Sequence, residues 1–152
     1  MFKTHLLISI LLALLTLKFF PINPIIFFLI VCVAGSFPDI DLPKSTIGNM
    51  TRPFSDIINL LFGHRTITHS IFLPAIIFGI FTYFNLIPYG LAFLIGYIGH
   101  ILADALSHEG INLLHPFPGF RLKGFVRVGG FFEYIIFLIL LGLVIYGFSR
   151  MI

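Results

Sequence analysis

The sequence predicts an all-α, multi-pass membrane helical bundle of about five apolar segments plus a short interfacial helix, and three observations carry that prediction. First, 59% of the 152 residues are hydrophobic and 10% are charged, more apolar surface than a soluble domain of this size can hide. Second, the apolar residues fall into five runs, Leu6 to Phe20, Ile25 to Phe37, Ile67 to Phe84, Leu86 to Leu106 and Phe131 to Phe148. Third, nearly all the ionisable residues lie between these runs or at their ends. No repeat or low-complexity linker divides the chain, so residues 1–152 read as one membrane-embedded domain.

The first run follows Lys3 and ends in Lys18-Phe19-Phe20-Pro21 with no small-x-small cleavage pattern, which predicts an uncleaved membrane segment. Pro21, Asn23 and Pro24 break the chain before the second run. Both are shorter than the roughly 20 residues of a spanning helix, so two short spans and a re-entrant hairpin stay open. Between runs two and three, Ser55 to Phe62 mixes Asp56 and Asn59 with Ile57, Ile58, Leu60 and Leu61, which predicts a helix lying at the membrane interface. The third run, Ile67 to Phe84, approaches spanning length, and Pro74 within it predicts a freed carbonyl at Ser70 and a kink. Gly96 and Ala92 in the fourth run are small residues that admit a neighbouring helix. The single cysteine, Cys32, excludes an internal disulfide and reads as a small buried hydrophobe.

Alternating five runs across a bilayer places Lys3, Lys44, Arg52, Arg65, Arg121, Lys123 and Arg127 on one side and only Lys18 and Arg150 on the other. The positive-inside rule makes the richer side, with the N-terminus, cytoplasmic. The same arrangement gathers the acidic residues and the histidines at that side. The net charge of +3 is modest and scattered, so no nucleic-acid partner is expected.

Within that gathering, His100, Asp104 and His108 recur every four residues and fall on one helical face. A His-Asp pair inside an apolar run calls for a partner, because an ionised carboxylate there costs roughly 2.5–3.5 kcal/mol on insertion scales. A divalent cation offsets that cost, and imidazole with carboxylate is the donor set of catalytic zinc. The candidate ligands are His5, Asp39, Asp41, His64, His69, His100 and Asp104. Two pairs of alternatives, Asp39 or Asp41 and His64 or His69, stay open. Asp39, Asp41 and Glu133 are candidate proton carriers, and Arg65 offers planar donors to an anion. His108 and His115, beyond the run, read as ordinary loop residues.

Four motifs in order carry a resemblance: Thr4-His5, Pro38-Asp39-Ile40-Asp41 followed by Ser45, His64-Arg65-x-x-Thr68-His69-Ser70, and Gly96-x-x-x-His100-x-x-x-Asp104-x-x-Ser107-x-x-Gly110-Ile111 with Leu114 and Pro116-Phe117. Together they resemble the YdjM-like family, described as inner-membrane, metal-dependent hydrolases. More distantly, the Asp, His and His-x-x-x-Asp set is similar to one metal site of the zinc-dependent phospholipase C and single-strand nuclease superfamily, which hydrolyses phosphodiesters. The resemblance implies an enzyme of the inner membrane holding one or two divalent ions, zinc first and manganese second. Asp39 or Asp41, His64 or His69, His100 and Asp104 match its ligands, and a lipid-like phosphoester is the expected substrate. The rival reading of the same residues is a divalent-metal transporter or a metal-binding membrane protein without hydrolase activity. Ligands crowded to one side favour the hydrolase, since transport sites lie near the midplane.

Overall fold

The computed structural model of the chain describes residues 2–117 and 121–151. Helix α1 (Phe2–Thr16) runs into a 3₁₀ turn at Leu17–Phe19, and α2 (Pro24–Ser36) continues into another at Phe37–Asp41. Two short helices follow, α3 (Thr46–Met50) and α4 (Phe54–Phe62), then a 3₁₀ turn at Ile67–His69, α5 (Phe72–Tyr83) and α6 (Ile87–Leu106). A two-stranded antiparallel ribbon, β1 (Ile111–Asn112) with β2 (Arg121–Leu122), precedes α7 (Phe131–Ser149). Among the described residues, four segments are long and apolar enough to cross a membrane: Phe2–Phe19, Pro24–Asp41, Ile87–Leu106 and Phe131–Ser149. The architecture is the all-α membrane bundle the sequence predicts.

The break between α1 and α2 follows from local chemistry. Asn23 caps α2 by accepting from the amides of Ile25 at 2.9 Å and Ile26 at 3.4 Å, and Pro24 occupies the first helical position, where no amide is needed. Asn85, at φ 58°, turns the chain from α5 into α6, a left-handed conformation that asparagine tolerates better than most residues. The interfacial helix expected at Ser55 to Phe62 forms as α4. It turns Leu60 and Leu61 outward, while Asn59 Nδ2 donates to the Asp41 carbonyl at 2.7 Å and ties it to the end of α2.

The third apolar run is the correction. It does not make a helix over Ile67 to Phe84; α5 has 12 residues, about 18 Å at 1.5 Å per residue, which is short of a bilayer. Pro74 is the third residue of α5, among the first-turn positions whose amides have no helical partner, so it neither kinks the helix nor breaks a bond. The Ser70 carbonyl is not free either. It accepts from the Tyr97 hydroxyl at 3.2 Å.

Helix α6 is the axis, with α1, α2 and α5 packed on it and α7 against α1. Ala13, Phe27, Val31 and Ala92 form one buried apolar layer, and Ala34, Phe93 and Tyr97 form a second, nearer the polar end. In α7 only Glu133 and Val144 are buried, so this helix is apolar all round and faces outward, as a lipid-facing helix does. The small residues of α6 set the spacing. A Cβ on Gly96 would lie 2.2 Å from the Val31 carbonyl oxygen, and one on Gly99 would lie 2.7 Å from Ser9 Cα. Both contacts are with backbone atoms that cannot swing away. The Ser9 hydroxyl sits 3.0 Å from both the His5 and the Gly96 carbonyl oxygens, stitching α1 to α6.

Gly96→Val or Gly99→Val is therefore expected to force α6 away from its neighbours and destabilise the bundle by about 1–3 kcal/mol or more. Gly79→Ala and Gly142→Ala, where a Cβ meets nothing within 4 Å, should be neutral or slightly stabilising. Thermal unfolding in detergent distinguishes these, and equal effects at all four glycines would sink this account of the packing.

Candidate metal centre

Five structural elements bring their polar ends together. His5 comes from the first turn of α1, and Asp39 and Asp41 from the 3₁₀ turn that closes α2. His64 and Arg65 come from the loop after α4, His69 from the turn before α5, and His100 and Asp104 from one face of α6. His5, Asp41, His69, His100 and Asp104 are buried.

Asp104 is the shared partner. Its Oδ1 lies 3.0 Å from His5 Nε2 and 2.6 Å from Arg65 Nη2. Its Oδ2 lies 3.1 Å from His69 Nε2 and 3.5 Å from His100 Nε2, yet it makes no properly aligned hydrogen bond although it is buried. Asp41 works from behind. His64 Nδ1 reaches its Oδ1 at 2.7 Å, and the Arg65 amide donates to its Oδ2 at 3.0 Å. The Thr68 hydroxyl donates to Oδ2 as well, and His69 Nδ1 is 3.3 Å from it.

These contacts assign the imidazole protons. His100 Nδ1 faces the Gly35 carbonyl oxygen at 2.8 Å, and a carbonyl only accepts, so that nitrogen carries the hydrogen. His69 Nδ1 faces the Thr68 hydroxyl oxygen at 3.0 Å and Asp41, both able to accept from it. In the neutral rings both Nε2 atoms are then lone pairs, only 3.3 Å apart, with the unbonded Asp104 Oδ2 beside them. Three acceptors converging in a buried space repel one another unless a proton on His69 Nε2 or a cation lies among them. Charge counting agrees, since Asp39, Asp41, Asp104 and Glu109 stand with Arg65 and Lys44, leaving two negative charges. The donor chemistry fits a divalent ion such as zinc or manganese.

Among the described residues, two ligand groupings are close enough to hold an ion: His5 with His100 and Asp104, and Asp39 with His69 and His100. His100 offers a single free nitrogen, so it serves one of these at a time. Asp39 has its carboxylate oxygen 3.8 Å from His100 Nε2 and lines a cavity of about 350 Å³ together with His5, His64, Arg65 and Asp104. Asp41 and His64 instead orient His69 and the loop.

Of the other sequence candidates, Arg65 touches a ligand and Glu133 and His108 lie apart. The Arg65 guanidinium is taken up by Asp104 at 2.6 Å and Glu109 at 2.9 Å, besides Ser107 Oγ at 3.2 Å. The Glu133 carboxylate, a candidate proton carrier, accepts from Thr4 at 3.2 Å and from the Gly129 amide at 2.6 Å, on the far side of α1's first turn. His108, read as continuing the His100 face, lies past the end of α6 and is exposed, because the helix stops at Leu106. Sequence reasoning passed over Tyr97, whose hydroxyl bonds the Thr68 and Ser70 carbonyls and holds the turn bearing His69. Its position three residues before His100, on the same helical face, was the available signal.

Asp104→Ala removes one of the two carboxylate partners of the part-buried Arg65, which keeps Glu109, and should destabilise the chain by about 1.5–3 kcal/mol, the scale of a hydrogen bond to a charged group. Combining it with Arg65→Met should recover a large part of that loss in a thermal-unfolding double-mutant cycle. Simple additivity would mean the pair is not coupled.

Comparison with known proteins agrees with the membrane architecture. The family model described as YdjM inner membrane protein matches residues 1–151. The uncharacterized protein YvsG of Bacillus subtilis (strain 168) is 31% identical over 136 residues, 88% of this chain and 85% of that protein. The inner membrane protein YdjM of Escherichia coli (strain K12) is 39% identical over 87 residues, 52% of this chain and 43% of its own length, and YdjM of Shigella flexneri gives the same figures. The matched region thus spans less than half of YdjM. No solved structure matches the chain. A family match over nearly every residue, on an all-α bundle with four apolar helices of spanning length, makes this chain a member of the YdjM family of inner membrane proteins.

Proposed function

We propose that this chain is a metal-dependent hydrolase that cleaves a phosphoester bond of a lipid-like or amphiphilic substrate at the cytoplasmic interface of the membrane. The observation that carries the reading is the meeting of His69 Nε2, His100 Nε2 and Asp104 Oδ2 in one buried space, beside a cavity that Asp39 and Arg65 line. His100 would hold the ion with His5 and Asp104, one of the two groupings, and His69 stands beside Asp104 Oδ2 to join them, which leaves Asp39 unligated. When bound, a divalent cation supplies Lewis acidity and activates water near neutral pH.

The chain's own residues account for the rest. Lys44 and Arg65, on the cavity wall, offer positive charge to phosphoryl oxygens. Asp39 borders the cavity and takes the proton of an attacking water as the water oxygen bonds to phosphorus. The ester P–O bond breaks, and the same proton goes to the departing alkoxide. Asp41 keeps His69 in the tautomer that exposes Nε2.

A transporter using the same ligands would need access from both faces. Below His100 the path is filled by Ala34, Phe93 and Tyr97, a packed apolar layer that favours chemistry at one face. The seven basic residues that the sequence assigns to this side support a cytoplasmic site.

Elemental analysis of the purified chain is expected to find zinc or manganese, and His69→Gln/His100→Gln should lose it while keeping its helical circular dichroism. Phosphoester hydrolysis should vanish on chelation and return with added cation. Absence of metal from both proteins after reconstitution with excess cation would overturn the proposal.

A further inference from the structure

Beside the polar cavity lies a second, larger one of about 490 Å³, between the first turns of α1 and α7 and roofed by the start of α3. Its walls include Phe2, Thr46, Tyr134 and Phe137. Phe2 and Thr46 also wall the 350 Å³ polar cavity, so the two spaces adjoin through them. Each volume lies within the roughly 300–1,000 Å³ of small-molecule sites. Their characters differ: Lys44, Arg65 and the His/Asp cluster face one, while the rings of Phe2, Tyr134 and Phe137 face the other beside Lys3 and Glu133.

We infer that the substrate is an anionic amphiphile with an apolar chain, bound with its phosphoester head in the polar cavity and its chain in the groove between α1 and α7. The inference rests on the hydrolase reading and adds where the chain goes. Three features point to this occupant. Tyr134 is exposed on α7, the outward-facing helix, so the groove opens sideways, where a membrane amphiphile arrives. Lys3 stands at the groove as a further positive charge for an anionic head on its way in. A different apolar groove, lined by Cys32 and Ile40, shares no wall residue with the polar cavity, so a chain lying in it would not connect to the head site. Glu133 also lines the groove, and its carboxylate accepts from Thr4 and the Gly129 amide.

The chain has no tryptophan, so Phe137→Trp creates a single fluorophore in the groove. Ile145→Trp places one on the outer face of the same helix. Both proteins in lipid nanodiscs are titrated with a chain-brominated dodecyl phosphate. Quenching at residue 137 should saturate and be reversed by excess inorganic phosphate, whereas quenching at residue 145 should rise in proportion to the amphiphile and ignore phosphate. In parallel, the metal-loaded chain and Tyr134→Asp, a change at an exposed groove residue that does not wall the polar cavity, are assayed on a long-chain and a methyl phosphoester. Tyr134→Asp should lower kcat/KM for the long-chain ester about tenfold or more and leave the methyl ester unchanged.

Proportional quenching at both positions, or equal loss on both esters, would overturn the groove assignment while hydrolysis of the methyl ester keeps the hydrolase reading. Saturable, phosphate-sensitive quenching with neither ester cleaved would uphold the groove and overturn the hydrolase.

Discussion

A carboxylate buried near the end of an apolar helix is the constraint on which the rest of this molecule depends. Asp104 belongs to α6, the helix on which the bundle is packed, and an ionised group there is tolerated only with partners. The chain supplies them from four separate places: His5 from α1, Arg65 from the loop after α4, His69 from the turn before α5, and His100 one helical turn away. Each of these stretches must end where its side chain reaches Asp104. The shortness of α5 is one result. Residues 67–71 are held around His69 and Tyr97 instead of extending the helix toward the membrane surface.

The means of bringing the partners together is close backbone packing. Gly96 and Gly99 let α1 and α2 approach α6 to distances a side chain would forbid, and Ser9 bonds across the seam. That approach puts the Gly35 carbonyl against His100 Nδ1, which determines the nitrogen His100 presents to the cluster. Packing several residues from the chemistry thus decides a protonation state within it. Asp41 does the same for His69, with Thr68 and the Arg65 amide holding the carboxylate in place. Polar groups that look alike in composition divide into those that face the shared space and those that aim them.

The arrangement is one-sided. A packed apolar layer of Ala34, Phe93 and Tyr97 closes the cluster toward the middle of the bundle, and the opening lies toward α3 and the loop carrying His64 and Arg65. Burial on one side and access on the other suits a reaction centre that excludes water except where substrate enters. The outward-facing α7 and the exposed apolar face of α4, which Asn59 ties to Asp41, are two surfaces compatible with lipid. For the proposed hydrolase, head and chain of an amphiphile then meet different walls.

Much of this was readable from residue order. Apolar runs and their breaks at Pro21–Pro24 and near Asn85 located the helices, since local propensity and the lack of water in a bilayer act on the chain directly. The i, i+4 spacing marked His100 and Asp104, and the small residues of α6 marked its packing face. The true length of α5 was misread: Thr68-His69-Ser70 and Pro74 interrupt the apolar run near its start, and the turn at Ile67–His69 is held there by the contacts of His69 and Tyr97. Nor did the Ser70 carbonyl announce its partner, Tyr97, which lies on another helix. By itself the sequence determined a membrane bundle with its imidazoles and carboxylates gathered at one end, because hydropathy and helical periodicity are local properties. Which carboxylates face the shared space, which nitrogen each histidine presents, and that Glu133 stands apart were decided only by the tertiary structure. Those outcomes depend on distances between groups far apart in the chain.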